Sequence, residues 1–461
     1  MGSAACCPSR QLDNRRDAAA RASYGFKGRR VKSTFYGWKL LAVFWAVIVL
    51  NFAFPTFGMS VVNTYMAGAM HLDRKELGLA YSVFTLMGGL PSPIVGYSIN
   101  RFGIRRTMLG GILLVGSGAV LMAAAVHTAL EAFLVLALVV GFGAALSGTM
   151  GPQVGVARWF RAKRGRAMSL FFTCTGIGGF MAVPLLNGVI ARWGGNWRSA
   201  WWFMAGMSVV AALLAGFFIR ESPAELGQEA DGGAIKQSAG TIEERTPARG
   251  VFKTTEDWTL AEALRSPALW ILIVTYLGFF MGFFIYLAHG IVHLEGLGHS
   301  PAAAAQSLAV LMLSSVIGQF TVAALGDRVE MRYIFALAVA LFGVGIALAT
   351  HASSSFALYP YAVCMGSGFG AGYTCLATMQ TNYFGAKVYP LLLGITIPMG
   401  TILGALGPVI AGWFFDTYGS YTRIFYLIAS VCFASGLLLL LAKPPLRHAA
   451  GEKPASAVQT I

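Results

Sequence analysis

The sequence predicts an all-α membrane protein with twelve transmembrane helices in two pseudo-symmetric six-helix bundles. Of its 461 residues, 56% are apolar and only 11% are charged, whereas a soluble domain carries about 25% charged residues. Charge-poor runs of 18 residues or more recur along the chain, and each is long enough to cross a hydrocarbon core. Twelve such runs occur, at 40–70, 77–99, 107–126, 132–157, 167–191, 200–219, 267–292, 302–326, 333–350, 356–383, 388–415 and 424–442.

Lysine and arginine residues distribute unevenly between the loops that connect these runs. With both termini in the cytoplasm, 28 of the 34 Lys and Arg residues fall on the cytoplasmic side and five on the outer side, while Lys39 lies at a boundary. Because such residues in short loops are retained in the cytoplasm, the asymmetry predicts a multi-pass protein with both termini cytoplasmic. Topology thus explains the net charge of +15, and no nucleic-acid partner is expected.

One long polar segment divides the runs into two groups of six. It contains Glu221, Pro223 and two adjacent glycines among mixed charges, a composition typical of a flexible linker. The first residues of the chain are basic and polar and lack the apolar core of a signal peptide. We therefore expect a disordered cytoplasmic N-terminal tail (1–34), a first six-helix half (35–219), a cytoplasmic linker (220–265), a second six-helix half (266–442) and a cytoplasmic C-terminal tail (443–461).

The two halves repeat one another. A shift of 224 residues places Trp159 on Tyr383, and in both copies a phenylalanine follows. A shift of 227 residues places Asn100 on Asp327, and in both copies an arginine follows. Matches of aromatic and arginine residues at nearly one offset indicate two copies of one six-helix unit. Transporters built from such repeats hold their substrate near the membrane midplane, between the halves.

The loop after the second run carries a recognisable signature. Residues 96–106 read Gly-Tyr-Ser-Ile-Asn-Arg-Phe-Gly-Ile-Arg-Arg. This resembles the sequence Gly-x-x-x-Asp-Arg-x-Gly-x-Arg-Arg of the major facilitator superfamily, with an asparagine in place of the aspartate. The resemblance implies the major facilitator fold. Arginines in this loop can bond carboxylates or helix-end carbonyls across the interface between the halves. The residues expected to form a gate there are Asn100, Arg101, Arg105, Arg158, Asp327 and Arg328.

Four further segments resemble the monocarboxylate transporters and the related bacterial oxalate–formate antiporters. The resemblance runs through nearly all of residues 35–442 and implies a carrier of organic anions. The segments are Phe-Tyr-Gly-Trp-Lys at 35–39, Asn-Phe-Ala-Phe-Pro at 51–55, Trp-Phe-Arg-Ala-Lys-Arg-Gly-Arg-Ala at 159–167 and Tyr-Phe-Gly-Ala-Lys at 383–387.

The sequence departs from these families at their charged substrate positions. Thr56 stands where the monocarboxylate transporters have a lysine, Gln319 stands at the arginine that captures the carboxylate, and Ser315 stands at a proton-carrying aspartate. No lysine lies between 394 and 412, where the antiporters have one. The resemblance therefore implies an anion carrier in which neutral groups recognise the solute.

Uncharged polar side chains within the runs are the remaining candidates for substrate binding. Tyr286, His289 and His293 lie at i, i+3 and i+7 on one helical face, and an ionisable group in a span is a functional candidate. His289 titrates in the range suited to carrying a proton or sensing an anion, whereas His293 can equally meet interfacial water. Hydrogen bonds between helices are the alternative role for the other residues. The candidates are Asn51, Thr56, Gln153, Thr175, Tyr286, His289, Gln319, Tyr373 and Thr374.

These features favour a secondary active transporter of a small organic solute, with a carboxylate implied by the resemblance. We expect alternating access driven by a proton or by exchange, and a larger, aromatic or less charged acid suits the neutral cavity better than oxalate. The alternative is an exporter of hydrophobic or drug-like compounds. We expect no enzyme activity, cofactor or metal, because the cysteines lack metal-like spacing and no catalytic set of residues emerges. A monomer in a bacterial inner membrane is the expected functional form.

Overall fold

The computed structural model describes residues 35–70, 83–232, 251–254, 256–354 and 356–445, and in these ranges all regular secondary structure is helical. This confirms the all-α fold class that the sequence predicts. The expected disordered tail at 1–34, part of the second tail (446–461), the middle of the linker (233–250) and the start of the second run (77–82) lie outside the described residues.

The helices of the first half are long, and two of them change pitch along their length. Val49–Ala53 and Val135–Gly141 are π-helical, a local widening that is frequent at functional sites. Residues 83–89 are also helical. The helices are α1 (Gly37–Phe57), α2 (Met59–Met70), α3 (Ser92–Phe102), α4 (Ile104–Ala124), α5 (Ala129–Trp159), α6 (Arg164–Arg192) and α7 (Arg198–Phe218).

The second half begins with a short helix that has a capping box. The Thr259 side chain accepts a hydrogen bond from the backbone N–H of Glu262, while the Glu262 carboxylate accepts one from the N–H of Thr259, so two otherwise unpaired donors are satisfied. The helices are α8 (Leu260–Arg265), α9 (Pro267–Gly296), α10 (Pro301–Leu325), α11 (Met331–Ala349), α12 (Leu358–Phe384), α13 (Tyr389–Tyr418) and α14 (Thr422–Leu439).

Ten helices in the described ranges are long and apolar enough to cross a membrane. The helix α12 is not among them, although its 27 residues would suffice in length. Its last two turns carry Thr378, Gln380, Thr381 and Asn382, all fully or almost fully buried. These polar groups are tolerated because α12 lies against α10 and α11, where its side chains find partners inside the protein rather than facing lipid.

Each half encloses its own apolar core, and the halves meet mainly at one end of the bundle. We call this the linker end, because the described parts of the linker (220–232, 251–254 and 256–265) and the loops at 160–163, 326–330 and 385–388 lie there. A methyl group on Gly96 of α3 would come within 2.7 Å of the main-chain oxygen of Pro390, so the two helices touch closely. Toward the opposite end, α2 packs against α6 of its own half and, among the described residues, makes no extensive contact with the second half.

Candidate functional site

A small cavity lies between the two halves, where α5 meets α12 and α13. It has room for about one water molecule. Its lining combines uncharged polar side chains with apolar ones, and no Asp, Glu, Lys or Arg is among them. The lining residues are Gln153, Tyr276, Tyr373, Leu376, Ala377, Gln380, Leu393, Thr396 and Ile397.

The side of the cavity nearest the linker end is closed by one hydrogen bond that joins the halves and by further hydrogen bonds within each half. The Tyr389 hydroxyl donates to Oε1 of Gln153 at 2.7 Å, and Nε2 of Gln153 donates to Oγ1 of Thr149 at 3.2 Å. In the second half, Nε2 of Gln380 donates to Oγ1 of Thr396 at 3.0 Å. The Oε1 atom of Gln380 is buried and has no hydrogen-bond partner among the described residues, so the cavity retains an unsatisfied acceptor.

An interruption in α5 positions Gln153. The helix breaks at Gly148, whose ψ is extended at −159°, and resumes at Met150. On the other side of the break, Asn51 from the π-helical turn of α1 donates through Nδ2 to Oγ of Ser147 at 2.9 Å. Non-helical backbone at membrane depth is stable where it is buried in protein or lines a cavity.

Two of the residues predicted from sequence, Gln153 and Tyr373, line this cavity together. Tyr373 also contacts Phe172 of the first half, with ring centroids 4.9 Å apart. Thr175 is half-buried and donates to the main-chain oxygen of Phe172 at 2.8 Å. Thr374 is fully buried and donates to Gly370 of its own helix. The structure therefore places Gln153 and Tyr373 at the cavity, whereas the two threonine hydroxyls form hydrogen bonds within their own helices.

Other predicted residues carry buried atoms with no partner among the described residues, among them Oδ1 of Asn51, Oγ1 of Thr56 and Oε1 of Gln319. Gln319 lies one turn along α10 from Ser315, which packs against Gly176 of the first half and Gly370 of α12. Its position beside the contact between the halves is compatible with the substrate role that the family resemblance implies, although Gln319 is not among the residues that line the cavity.

The polar face of α9 lies away from the cavity, within the second half. His289 bridges two elements, with Nε2 2.9 Å from the oxygen of Pro408 and Nδ1 3.0 Å from the Tyr421 hydroxyl. Tyr286 packs against the rings of Tyr361 and Phe425. This arrangement joins α9 to α13 and α14, and it gives both residues a structural role in the second half.

Sequence reasoning missed Gln380, Thr396, Tyr276 and Tyr389 at this site. Gln380 lies four residues from the end of α12. A polar residue at such a position indicates, from sequence alone, the end of a membrane span. The signal that could have found it is spacing, because positions 369, 373, 376 and 380 follow i, i+4, i+7 and i+11 and therefore share one helix face. The tyrosines resemble ordinary core residues in an apolar run.

A buried arginine lies beyond the hydrogen bonds that close the cavity. Arg164, at the start of α6, is 6% exposed, and its guanidinium donates to the main-chain oxygens of Phe160, Ala157 and Thr381. No carboxylate in the described residues forms an ion pair with it. It interacts electrostatically with Tyr389, the residue bonded to Gln153, so a positive charge lies just below the closed side of the cavity.

The predicted gate residues lie at the linker end, where the two copies of the loop behave differently. The carboxylate of Asp327 accepts hydrogen bonds from the backbone N–H groups of Gly165 and Arg166, at 3.3 and 3.4 Å, so it caps the positive end of α6 across the interface. Lys253 lies 3.4 Å from the same carboxylate. Burial lowers the pKa of Lys253, and the charge of Asp327 opposes that shift.

The first copy of the gate is held within its own half. Glu221 of the linker accepts hydrogen bonds from the N–H groups of Ile104 and Arg105, each at 2.8 Å, and pairs with Arg158 at 3.4 Å. Asn100, Arg101 and Arg328 have exposed side chains. In the first copy of the loop, where asparagine replaces aspartate at position 100, that side chain caps no helix of the second half among the described residues. In the second copy, Asp327 caps α6 of the first half.

No set of three or more His, Cys, Asp or Glu side chains in the described parts of the chain could hold a metal ion. The buried cysteines Cys174, Cys375 and Cys432 are free and pack within the apolar cores.

Comparison with known proteins places the chain among membrane carriers. The family model described as Major Facilitator Superfamily matches residues 43–408 and 294–460. Monocarboxylate transporter 12 of Rattus norvegicus is 24% identical over 431 residues, which cover 88% of this chain and 85% of the relative. The fold is similar to that of the E. coli fucose:proton symporter FucP, with a TM-score of 0.67, 14% identity and coverage of 89% and 100%. It is also similar to the human organic anion transporter MFSD10, with a TM-score of 0.61, 17% identity and coverage of 89% and 99%.

Proposed function

Because this chain belongs to the Major Facilitator Superfamily and is a membrane transporter rather than an enzyme, we propose that it moves a small organic carboxylate by alternating access. The observation that carries the proposal is the cavity of uncharged polar groups between the halves, closed toward the linker end by the contact of Tyr389 with Gln153. In this fold the substrate binds between the repeats, and rocking of one half against the other exposes it to each side in turn.

Two observations favour a carboxylate over other solutes: the positive charge near the cavity and the similarity of the chain to known transporters. The guanidinium of Arg164 below the cavity interacts electrostatically with Asp231 and Asp327 but forms no ion pair in the described residues, and its charge disfavours a cationic solute in the cavity. The names of the similar proteins, a monocarboxylate transporter and an organic anion transporter, agree with an anionic solute.

Coupling is proposed to occur through the solute itself. The cavity lining has no carboxylate or imidazole in the described residues, and His289 is engaged by Pro408 and Tyr421 away from it. The solute would therefore cross together with its own proton or in exchange for a second anion.

We propose the following placement in the membrane. The linker end faces the cytoplasm, because the Lys and Arg residues concentrate in its loops, and both termini are cytoplasmic. One chain, with the five segments given above, is the functional unit, and the membrane is a bacterial inner membrane. The structure then represents the form that is closed toward the cytoplasm.

Uptake into proteoliposomes tests the proposal. Purified protein is reconstituted, and accumulation of radiolabelled monocarboxylates is measured with and without an inward proton gradient, and with a preloaded carboxylate for exchange. Uptake above that of protein-free liposomes, saturable and stimulated by one of these conditions, is the expected result. Transport of sugars or organic cations with no carboxylate transport would refute the proposal.

An exporter of hydrophobic compounds is the second candidate, favoured by the clustered aromatic side chains of α9 and α12, of which Tyr373 contacts Phe172 of the first half. Many carriers of cationic drugs require a carboxylate in the membrane, and the described cavity lining contains none. Resistance profiling of an overexpressing strain separates the two, because only an exporter should protect the cells against uncharged toxic compounds.

A further inference from the structure

Aromatic rings from α9 and α12 form a continuous surface next to the cavity. Tyr276, Phe280 and Phe283 lie at i, i+4 and i+7 on α9, and Phe369 and Tyr373 lie at i and i+4 on α12, so each set shares one helix face. We call these five residues the aromatic wall. Its two tyrosines line the cavity directly, so wall and cavity form one site.

Four of the rings in the wall are nearly parallel. The planes of Phe283 and Phe369 differ by 12° with centroids 3.7 Å apart, and Phe369 and Tyr373 differ by 16° at 6.3 Å. Tyr373 and Phe280 differ by 17°, also at 6.3 Å. Aligned ring faces of this kind suit a flat π-system better than an aliphatic chain, because offset stacking adds to the burial of apolar area.

The wall is partly accessible, and one of its rings, Tyr373, contacts Phe172 of the first half. Phe280, Phe369 and Tyr373 are half-buried although each contacts other rings. The outer surface of α9 is a different face of the helix, marked by Trp270 and Val274 at 44% and 52% exposure. The accessible ring surface thus belongs to the interface between the halves and not to the outer surface of the bundle.

The wall ends in a polar group that lacks a partner. Gln380 lies two turns beyond Tyr373 on the same face of α12 and is 0% exposed. Its Nε2 atom is bonded to Thr396, while its Oε1 atom has no partner among the described residues. A buried acceptor left unpaired is unfavourable, so a ligand whose head group can donate a hydrogen bond would satisfy it.

We infer that the solute is a monocarboxylic acid with a flat aromatic ring, its ring on the aromatic wall and its carboxyl group at Gln380 and Tyr373. When the solute crosses with its own proton, its carboxyl group donates to Oε1 of Gln380 and accepts from the tyrosine hydroxyl, so it matches both groups. An aliphatic acid would bury apolar area on the rings without stacking on them, and an ammonium group would lie close to the charge of Arg164. The inference rests on the proposed transport of carboxylates and narrows it.

Three hydroxy acids that differ only in their side group test this assignment. Uptake of lactate, 3-cyclohexyllactate and 3-phenyllactate into proteoliposomes is measured, each corrected for protein-free liposomes. The half-saturation concentration of phenyllactate should lie about fivefold below that of its saturated-ring analogue, as expected for a ring stacked on an aromatic surface. The Phe369→Leu variant should abolish this difference, whereas Phe320→Leu, on an exposed face of α10, should retain it.

The possible results separate this inference from the proposed function. If lactate and both larger acids are transported without preference for the aromatic ring, or if Phe369→Leu keeps the preference, carboxylate transport stands and the aromatic assignment is wrong. If neither these acids nor any other carboxylate accumulates above protein-free liposomes, the proposed function itself is wrong. Preserved thermal unfolding of Phe369→Leu in detergent shows that a changed preference does not reflect misfolding.

Discussion

The Nη1 atom of Arg164 lies 2.7 Å from the main-chain oxygen of Thr381, so a buried guanidinium of the first half holds the end of a helix of the second. Its Nη2 atom lies 3.4 Å from the main-chain oxygen of Ala157. Ala157 and Thr381 are equivalent in the repeat, because the shift of 224 residues that superimposes Trp159 on Tyr383 relates them too. One cation therefore binds the same carbonyl of both copies, close to the axis that relates the halves.

Replacing Arg164 with methionine should favour opening of the linker end. Each hydrogen bond from a charged group contributes about 1.5–3 kcal/mol, and the bonds to Thr381 and Asn382 must break when the halves separate there. A loss of about 2 kcal/mol changes the ratio of closed to open forms about thirtyfold. Spin labels in the loops at 160–163 and 385–388, measured by pulsed electron paramagnetic resonance, should show a larger population at long distance.

Arg161→Met is the matched control for this variant. It removes a guanidinium three residues before Arg164, but the side chain of Arg161 is exposed, so the label distances should stay as in the unmodified protein. Equal distance distributions for Arg164→Met and Arg161→Met would show that the buried arginine does not hold the closed form.

Replacing Gly96 with alanine should also favour opening of the linker end, because the added methyl group crowds the contact between α3 and α13. A Cβ atom there would lie 2.7 Å from the main-chain oxygen of Pro390, and backbone cannot yield as a flexible side chain does. Overpacking costs about 1–3 kcal/mol, and here the strain is relieved when α3 and α13 separate. We expect increased labelling of a cysteine introduced near the linker end of α13, whereas Gly110→Ala, where no atom lies within 4 Å, should leave labelling unchanged.

The sequence predicts the helical fold well because hydropathy and loop charge follow from the membrane alone. Spans must be apolar and about 20 residues long, so ten of them and their approximate bounds can be read directly in the described residues. The same rule explains why α12 is the exception: its polar residues, such as Thr378 and Gln380, are compatible with a span only because they are enclosed by other helices.

The site is less predictable, because it depends on which faces of different helices meet. Gln153 and Tyr373 could be selected as polar groups in apolar runs, and they do come together. Tyr389 and Thr396 could not, since their role arises from hydrogen bonds to residues that tertiary structure alone brings near. Spacing places Tyr286 and His289 on one face of α9 but does not tell whether that face meets the cavity or α14.

Replacing His289 with glutamine should lower stability without changing how transport depends on pH. The imidazole bridges Pro408 and Tyr421, and the loss of one such hydrogen bond typically costs about 0.5–1.5 kcal/mol. Thermal unfolding in detergent should therefore occur at a lower temperature, while the pH profile of carboxylate uptake keeps its shape. Loss of one limb of that profile, with stability unchanged, would instead assign proton transfer to His289.

Replacing Gln319 with arginine should strengthen the binding of small carboxylates. The family resemblance assigns this position to a carboxylate-binding arginine, and Oε1 of Gln319 is buried without a partner among the described residues, beside the contact of Ser315 with Gly176. A bidentate arginine–carboxylate pair is about twice as strong as a neutral hydrogen bond, so the half-saturation concentration for lactate should fall about tenfold or more. The maximal rate should fall as well, because a solute held by a charge in a low-dielectric cavity is released slowly.

Gln306→Arg, which adds the same charge at an exposed position of the same helix, should change neither value. If Gln319→Arg leaves both kinetic parameters as they were in folded protein, Gln319 does not contact the solute, and recognition depends on Gln153, Tyr373 and Gln380 alone.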